Sequence, residues 1–282
     1  MICSGKTYLA GVMGWPVAHS RSPLVHGFWL ERHGINGAYL PLAVRPERLH
    51  AALDGLTALG FSGCNLTIPH KVAALDVVGE ISPLAAQIGA VNTVIVKKDG
   101  TLRGDNSDAF SFLENLQEGA PELDLASGPA IVLGSGGAAR AVCAGLLQSG
   151  VPEIRLSNRN MARAEALAEI LGVAIRPLPW GERHAALQDA ALLVNTTSLG
   201  MTGQPGLKLD LSLLPESAVV NDLVYSPLTT SLLAAARERG NIVIDGLGML
   251  LHQARPGFAA WFGVEPAVTA ELRTFVVGNL AG

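Results

Sequence analysis

Short apolar runs alternate with longer segments of helical periodicity along most of this chain. The runs at 8–12 and 38–42 have the length and composition of buried strands. The stretch at 46–59 carries apolar residues at helical spacing and stops just before Gly60. This alternation of strands and helices predicts an α/β protein whose sheets are mostly parallel.

The first part of the chain is predicted to form one compact set of elements. These are strands at 8–12, 38–42 and 63–67, helices at 46–59 and 71–75, and a hairpin of 91–96 with 101–103 through a turn at 97–100. Another helix is expected to start at Ser22, which would act as its N-cap, with Pro23 in the first helical position.

The pattern changes after a predicted helix that begins at Asp108 and a connector at 119–129 rich in glycine, proline and serine. From there it becomes strand, glycine-rich turn, helix and strand, with further strands at 192–195, 218–221 and 242–244. Helices at 249–262 and 266–277 are expected to return to the first domain. We therefore predict two domains: 1–107 with 247–282, and 108–246.

The glycine-rich turn has the features of a dinucleotide site. Residues 130–133 form a continuous apolar run, as in a central parallel strand. Gly134, Gly136 and Ala139 follow as G-x-G-x-x-A at the start of a helix. The first glycine permits a tight turn, the second lets a pyrophosphate approach the backbone, and the helix N-terminus favours phosphate. The domain at 108–246 is therefore predicted to be of the Rossmann type.

The end of the next strand indicates which nucleotide would bind. An NAD site usually carries Asp or Glu about 20 residues after the glycine turn. Here Asn158, Arg159 and Arg163 stand in that region and no acid does. Guanidinium groups bind phosphate well, so we predict NADP over NAD. The alternative is that both arginines belong to a solvated helix face.

Polar side chains also cluster at loops outside this turn. Ser20 and Ser22 precede a helix, where hydroxyls and free N–H groups suit a carboxylate. Lys71 follows a strand and a proline, and an enclosed lysine serves as a proton donor or acceptor. Asp108 could orient that lysine, and Asn92 offers an amide for vicinal hydroxyls. Simple helix capping by Ser22 or Asp108, and a solvated Lys71, are the alternatives.

Two further candidates lie near the C-terminus. Tyr225 follows a strand, and Gln253 lies on the helix after Gly246. Strand ends and helix starts are where α/β sheets present ligand contacts. Plain packing or surface exposure is the alternative for both residues.

Composition narrows the class of protein. With 49% hydrophobic and 16% charged residues, the chain is expected to be globular. A net charge of −4 gives no reason to expect nucleic acid or an anionic membrane as a partner, and no apolar run reaches membrane-spanning length. The three cysteines are widely separated, and the histidines lack metal-site spacing, so we expect a cytoplasmic protein without a metal.

Taken together, these motifs resemble those of the shikimate dehydrogenase family, which reduces 3-dehydroshikimate with NADPH in aromatic amino-acid biosynthesis. The resemblance is carried by the runs at 19–23, 65–71, 89–93 and 104–108 and extends from Val12 to Gln253 in the same order. It implies an N-terminal α/β substrate domain, an NADP-binding domain, and a monomer or homodimer acting on shikimate.

The resemblance also implies a role for each matching residue. Lys71 would be the catalytic acid/base residue, paired with Asp108. Ser20, Ser22 and Tyr225 would hold the substrate carboxylate, and Thr67, Asn92, Asp108 and Gln253 its ring hydroxyls. The cofactor would contact the residues of the glycine turn, the following strand end and two later positions: Gly134, Ser135, Gly136, Gly137, Ala138, Asn158, Arg159, Arg163, Leu223 and Gly246.

The sequence departs from the family pattern at four positions. Threonine is frequent in place of Ser107 and Asn160, and alanine in place of Ser135. Some members carry an acidic residue near the cofactor in place of Pro83. Asn160 could weaken phosphate binding slightly. Three other functions stay open: a quinate/shikimate dehydrogenase that prefers NAD, a non-catalytic ligand sensor on the same fold, and an NADP enzyme for an amino-substituted shikimate analogue. The presence of Lys71 and Asp108 argues against the sensor.

Overall fold

The computed structural model describes residues 3–279, which form two compact units. One comprises the described residues up to Ser107 together with those from Leu250 onward, and the other is Asp108–Met249. Each unit contains a six-stranded sheet covered by helices. The predicted α/β class, with C-terminal helices returning to the first part of the chain, is confirmed.

The first unit begins with alternating strands and helices. Up to Ser107 they are β1 (Tyr8–Gly14), α1 (Ser22–Arg32), β2 (Gly37–Ala43), α2 (Leu49–Ala58), β3 (Phe61–Leu66), α3 (His70–Ala73), β4 (Glu80–Ile81), α4 (Pro83–Ile88), β5 (Thr93–Val96) and β6 (Leu102–Asp105). The strand order is β2-β1-β3-β5-β6-β4. β1 is parallel to β2 and β3, whereas β5 and β6 form the predicted antiparallel hairpin.

The prediction that Ser22 caps α1 is wrong. Arg21 occupies the N-cap position, Ser22 is already helical, and no described side chain caps this end of the helix. Arg21 adopts near-helical dihedral angles, with φ −95° and ψ −2°, so the helix begins one residue earlier than the serine-proline signal indicates.

The second unit combines six parallel strands with α-helices. Its elements are α5 (Asp108–Gly119), β7 (Ala130–Leu133), α6 (Gly137–Gln148), β8 (Ile154–Asn158), α7 (Met161–Leu171), β9 (Ile175–Pro179), β10 (Leu192–Asn195), β11 (Val219–Asp222), α8 (Ser231–Glu238) and β12 (Ile242–Ile244). The order β12-β11-β10-β7-β8-β9 is that of a Rossmann fold. The strand order reverses between β7 and β10, where such sheets bind ligands beyond their carboxyl ends.

Two C-terminal helices complete the first unit. They are α9 (Leu247–Phe262), which starts in the second unit and continues into the first, and α10 (Ala270–Gly278). The indole N–H of Trp261 donates to the carbonyl of Val94 at 3.1 Å, and that of Trp29 donates to the carbonyl of Ala267 at 3.1 Å. Because these buried indoles have hydrogen-bond partners, the helices seal the core of this unit without an unsatisfied polar group at either ring.

No helix within residues 3–279 combines the length and the apolar composition that a membrane crossing requires.

Candidate active site

The glycine turn after β7 is shaped by its first glycine. Gly134 has φ +106°, and its N–H donates to the carbonyl of Ser157 on β8 at 2.9 Å. A Cβ here would lie 2.6 Å from Oγ1 of Thr196, whose hydroxyl is itself bonded to the carbonyl of Leu133 at 2.6 Å. The backbone angle and the neighbouring threonine therefore both require glycine.

The second glycine lies where the turn meets α6. Gly136 is the N-cap residue, and no side chain in the described part of the protein caps this helix. A Cβ added to Gly136 would have no described atom within 4 Å, so the backbone faces open space. Ala139, by contrast, is fully buried. Free N–H groups at an open helix N-terminus fit the pyrophosphate of a dinucleotide. The other predicted residues of the turn, Ser135, Gly137 and Ala138, lie close to Gly136 in the sequence.

The end of β8 carries polar and basic side chains. Nδ2 of Asn158 donates to the carbonyl of Asn160 at 2.8 Å, and the side chain of Asn160 accepts from the N–H of Arg163 at 3.3 Å. Asn160 is thus the N-cap of α7, a role that threonine would also fill. Arg159 and Arg163 are exposed, which leaves their guanidinium groups accessible to a phosphate.

Two other predicted cofactor residues lie against each other at the ends of β11 and β12. A Cβ on Gly246 would be 2.1 Å from the carbonyl oxygen of Leu223, and the Gly246 N–H donates to the carbonyl of Val224 at 3.2 Å. Only glycine permits this backbone approach. Both residues follow strands of the parallel sheet, on the side where its ligand contacts are expected.

A buried polar network, which the sequence analysis missed, ties these strand ends together. Oδ1 of Asp222 accepts from Nδ2 of Asn195 at 2.9 Å and from the N–H of Val224 at 3.1 Å, while Oδ2 accepts from Oγ1 of Thr230 at 2.7 Å. Burial raises the pKa of Asp222, and these hydrogen bonds oppose the rise. The network fixes the backbone that leads to half-buried Tyr225. The sequence signal that could have indicated this network is an acidic residue at the end of an apolar strand.

In the first unit, two loop segments with predicted substrate residues lie side by side. The N–H of Trp15 donates to the carbonyl of Ile68 at 3.1 Å, and that of Thr67 donates to the carbonyl of Met13 at 2.9 Å. Ser20 and Ser22 are both half-buried, and the N–H of Ser22 donates to Oγ of Ser20 at 3.4 Å. The Ser20 hydroxyl thus lies beside the backbone N–H of Ser22, at the start of α1.

Lys71 lies on the short helix α3, which is anchored on both sides. Its carbonyl accepts from the N–H of Val91 at 2.7 Å, and Nε2 of the buried His70 lies 2.8 Å from the carbonyl of Val44. The Lys71 side chain is half-buried. The bond to Val91 places the Lys71 backbone next to the segment that carries Asn92.

Asn92 is buried and held through both atoms of its amide. Oδ1 accepts from the hydroxyl of Thr93 at 2.8 Å and from the N–H of Ser107 at 3.0 Å, while Nδ2 donates to Oγ of Ser107 at 3.1 Å. The Ser107 hydroxyl donates to the carbonyl of Gln253 at 3.0 Å. Asn92 and the half-buried Gln253 are thus joined through one serine that the sequence analysis did not select.

The predicted substrate residues divide between the two units. The first unit holds Ser20, Ser22, Thr67, Lys71, Asn92 and Gln253. The second holds Asp108 and Tyr225 with the predicted cofactor residues. Asp108 is buried at the start of α5 and directly follows Ser107. Within residues 3–279, no group of His, Cys, Asp and Glu is arranged to hold a metal ion.

This fold and site define an α/β chain with a dinucleotide-binding unit and a separate unit rich in polar side chains. The sequence model of the shikimate dehydrogenase substrate binding domain matches residues 12–94, and that of shikimate / quinate 5-dehydrogenase matches 116–201. The chain belongs to the shikimate dehydrogenase family.

Known relatives match nearly the whole chain. It is 59% identical to the NADP-dependent shikimate dehydrogenase of Paramagnetospirillum magneticum, over 97% of this chain and 99% of that protein. The shikimate 5-dehydrogenase of Thermus thermophilus, solved with NADP(H) and shikimate, is 39% identical with a TM-score of 0.85, over 98% of this chain and 99% of that one. The quinate dehydrogenase of Corynebacterium glutamicum, solved with NAD, is 32% identical with a TM-score of 0.89, over 96% and 99%.

Proposed function

We propose that this chain is an NADP-dependent shikimate dehydrogenase that catalyses the reversible reduction of 3-dehydroshikimate to shikimate by NADPH, a step of aromatic amino-acid biosynthesis. The observation that carries this proposal is that the anchored Lys71–Asn92–Gln253 arrangement and an open glycine turn occur in the same chain. The names of the relatives at 59% and 58% identity support the same activity.

The cofactor would be held by the residues of the second unit that fit it. We assign the pyrophosphate to the turn from Gly134 to Ala138 and the adenosine phosphate to Asn158, Arg159 and Arg163. Leu223 and Gly246 are assigned to the nicotinamide side. When bound, NADPH supplies the hydride that reduces the ketone carbon.

The proton is handled by the chain's own residues. We assign Lys71 as the group that donates a proton to the developing alkoxide oxygen or stabilises it by charge, and Asp108 as the partner that orients the ammonium and accepts from a substrate hydroxyl. In the oxidation of shikimate the same groups act in reverse. Positioning and charge stabilisation supply most of the barrier reduction in such a site.

The remaining polar residues would position the substrate. Ser20, Ser22 and Tyr225 are assigned to its carboxylate, and Thr67, Asn92 and Gln253 to its hydroxyls. We expect the enzyme to work in the cytoplasm as a monomer or homodimer, with shikimate and 3-dehydroshikimate as its small-molecule partners.

An absorbance assay at the NADPH band tests this function. Shikimate with NADP is expected to give the highest kcat/KM of the four pairings of shikimate or quinate with NADP or NAD. No NADPH formation from shikimate by the folded protein would contradict the proposal.

A quinate dehydrogenase that prefers NAD is the second candidate. It is favoured by the similarity to the quinate dehydrogenase of Corynebacterium glutamicum, at a TM-score of 0.89. The absence of an acid after β8 and the exposed Arg159 argue against it. The same assay separates the two, because this candidate requires quinate with NAD to give the highest kcat/KM.

A further inference from the structure

A continuous chain of side-chain hydrogen bonds runs through the first unit. It starts at Tyr39, whose ring stacks on His26 with centroids 3.8 Å apart, and burial lowers the pKa of His26 to about 3. The Tyr39 hydroxyl donates to Oδ1 of Asn65 at 2.6 Å, and Nδ2 of Asn65 donates to Oγ1 of Thr93 at 3.3 Å. This chain of hydrogen bonds thus connects an aromatic cluster in the core with the candidate site.

The same chain continues through Asn92 and ends on the C-terminal helix α9. The Thr93 hydroxyl donates to Asn92, Asn92 donates to the Ser107 hydroxyl, and that hydroxyl donates to the Gln253 carbonyl. The Thr93 and Ser107 hydroxyls each accept from one neighbour and donate to the next. A chain with consistent polarity strengthens its own bonds and has one favoured arrangement.

The backbone N–H of Ser107 determines the orientation of the Asn92 side-chain amide. A backbone N–H only donates, so the atom 3.0 Å from the N–H of Ser107 must be the amide oxygen. The Ser107 Oγ then meets Nδ2 at 3.1 Å, and its proton is directed to the Gln253 carbonyl at 3.0 Å, a shorter distance than the 3.3 Å to Oδ1 of Asn92. Rotating the amide by half a turn would place its NH₂ against another N–H.

We propose that Ser107 is a positioning residue that holds the Asn92 amide and the Gln253 backbone in the orientation needed to bind the substrate hydroxyls. This inference rests on the proposed function, in which Asn92 and Gln253 bind those hydroxyls. Ser107 acts through both residues. Its requirement is a hydroxyl, which the threonine frequent at this position in the family would also supply.

The serine hydroxyl is separable from the local fold. In Ser107→Ala the backbone N–H still donates to Asn92 Oδ1, so this hydrogen bond to the amide remains. What is lost is one acceptor for Nδ2 of Asn92 and the donor to the Gln253 carbonyl. Ser111 provides a matched control, because it is also buried and its hydroxyl donates to a backbone carbonyl, that of Asp108, at 2.9 Å.

Steady-state kinetics of shikimate oxidation by NADP test the inference. Ser107→Ala is expected to raise the KM for shikimate about tenfold, the loss of one or two oriented hydrogen bonds, and to change the KM for NADP less than about twofold. Ser107→Thr is expected to restore the wild-type KM, and Ser111→Ala to leave both constants unchanged. Equal effects of Ser107→Ala on both KM values, or no effect on either, would overturn the proposal.

A double-mutant cycle shows whether Ser107 acts through Asn92. In an Asn92→Ala background, most of the effect of Ser107→Ala on the KM for shikimate should disappear. Full additivity would overturn the proposal. If Ser107→Ala does not fold, the isosteric Thr93→Val variant removes another side-chain donor to Asn92 and must raise the same KM. A wild-type protein inactive on shikimate would refute the proposed function, whereas an active wild type with an unaffected Ser107→Ala refutes only this inference.

Discussion

The two units of this protein build their candidate ligand sites from different parts of the polypeptide. In the second unit the site is mostly backbone: a glycine at φ +106°, an open helix N-terminus, and a glycine pressed against the Leu223 carbonyl. In the first unit it is side chains, oriented by hydrogen bonds such as those between Asn92 and Ser107. The backbone site is a product of sheet topology, and the side-chain site is a product of individual residue choices.

This difference determines what substitutions should do. Removing a side chain in the first unit should impair substrate handling while leaving nucleotide binding intact. In the second unit, adding atoms to glycine should be more harmful than removing most side chains. The predictions below test this separation.

Replacing Lys71 should have the largest effect. Lys71→Ala is expected to lower kcat for shikimate oxidation by about 10²- to 10⁴-fold, because the residue assigned to the proton is lost. The dissociation constant for NADPH, measured by fluorescence titration, should stay within about twofold, because the residues assigned to the nucleotide belong to the second unit.

Lys98 offers a matched control for that experiment. It is exposed in the turn of the β5–β6 hairpin, so Lys98→Ala should retain wild-type kcat. Near-normal turnover by Lys71→Ala would remove the assignment of Lys71 to the proton.

The two glycines of the nucleotide turn should respond differently to alanine. Gly136→Ala places a methyl group in open space, so it should fold normally yet weaken NADP binding by about tenfold to hundredfold, because the methyl meets the pyrophosphate. Gly134→Ala forces a Cβ against Thr196 at positive φ and should lower the free energy of unfolding by about 2 kcal/mol or more. Isothermal titration and denaturant unfolding separate the two effects. Unchanged NADP affinity in Gly136→Ala would contradict the backbone site.

Most strands of the second unit could be predicted well from the sequence. The strands predicted at 192–195 and 242–244 coincide with β10 and β12, because both are short continuous apolar runs, although only β10 is fully buried. The elements β4 and α4 were missed. They have two and six residues, too few to show a period, and a tertiary bond from Ser82 Oγ to Asp105 Oδ1 at 2.6 Å supports them.

The residues of the candidate site could be proposed from the sequence, but the hydrogen bonds that join them could not. The bond between Ser107 and Asn92 spans 15 residues, and that between Ser107 and Gln253 spans 146. No local pattern encodes such a pairing, because it depends on where α9 lies in the folded first unit. The assigned roles of Lys71, Asp108 and the other site residues stay predictions.

Arg159 is the main side chain assigned to the nucleotide in a site that is otherwise mostly backbone, and its replacement tests that assignment. Arg159→Ala should raise the KM for NADP about tenfold by removing a charge-assisted contact to the adenosine phosphate, and should leave the KM for NAD unchanged. Arg176 is a matched control, because it is an exposed arginine on the adjacent strand β9. Arg176→Ala should alter neither constant. Equal effects of Arg159→Ala on NADP and NAD would show that the residue does not select the phosphate.

The smallest expected effect concerns an ion pair in the second unit, outside the residues assigned to the nucleotide. Arg155 on β8 pairs with Asp189, whose pKa is held below its usual 3.8 mainly by the hydrogen bond from that guanidinium. A lowered carboxyl pKa stabilises the fold above the unfolded value, and the contribution is lost as pH falls through the folded pKa. Because the Asp189 side chain is 62% exposed, Asp189→Asn should cost only about 0.5 kcal/mol at pH 7.

That difference should shrink below pH 3.8 and in 1 M salt, when measured by urea unfolding of both proteins. NADP affinity at pH 7 should not change, because the glycine turn depends on backbone geometry and not on this pair. A loss of affinity in Asp189→Asn would mean that the β8 side chains hold the nucleotide site in place, and the distinction between a backbone site and a side-chain site would then fail in the second unit.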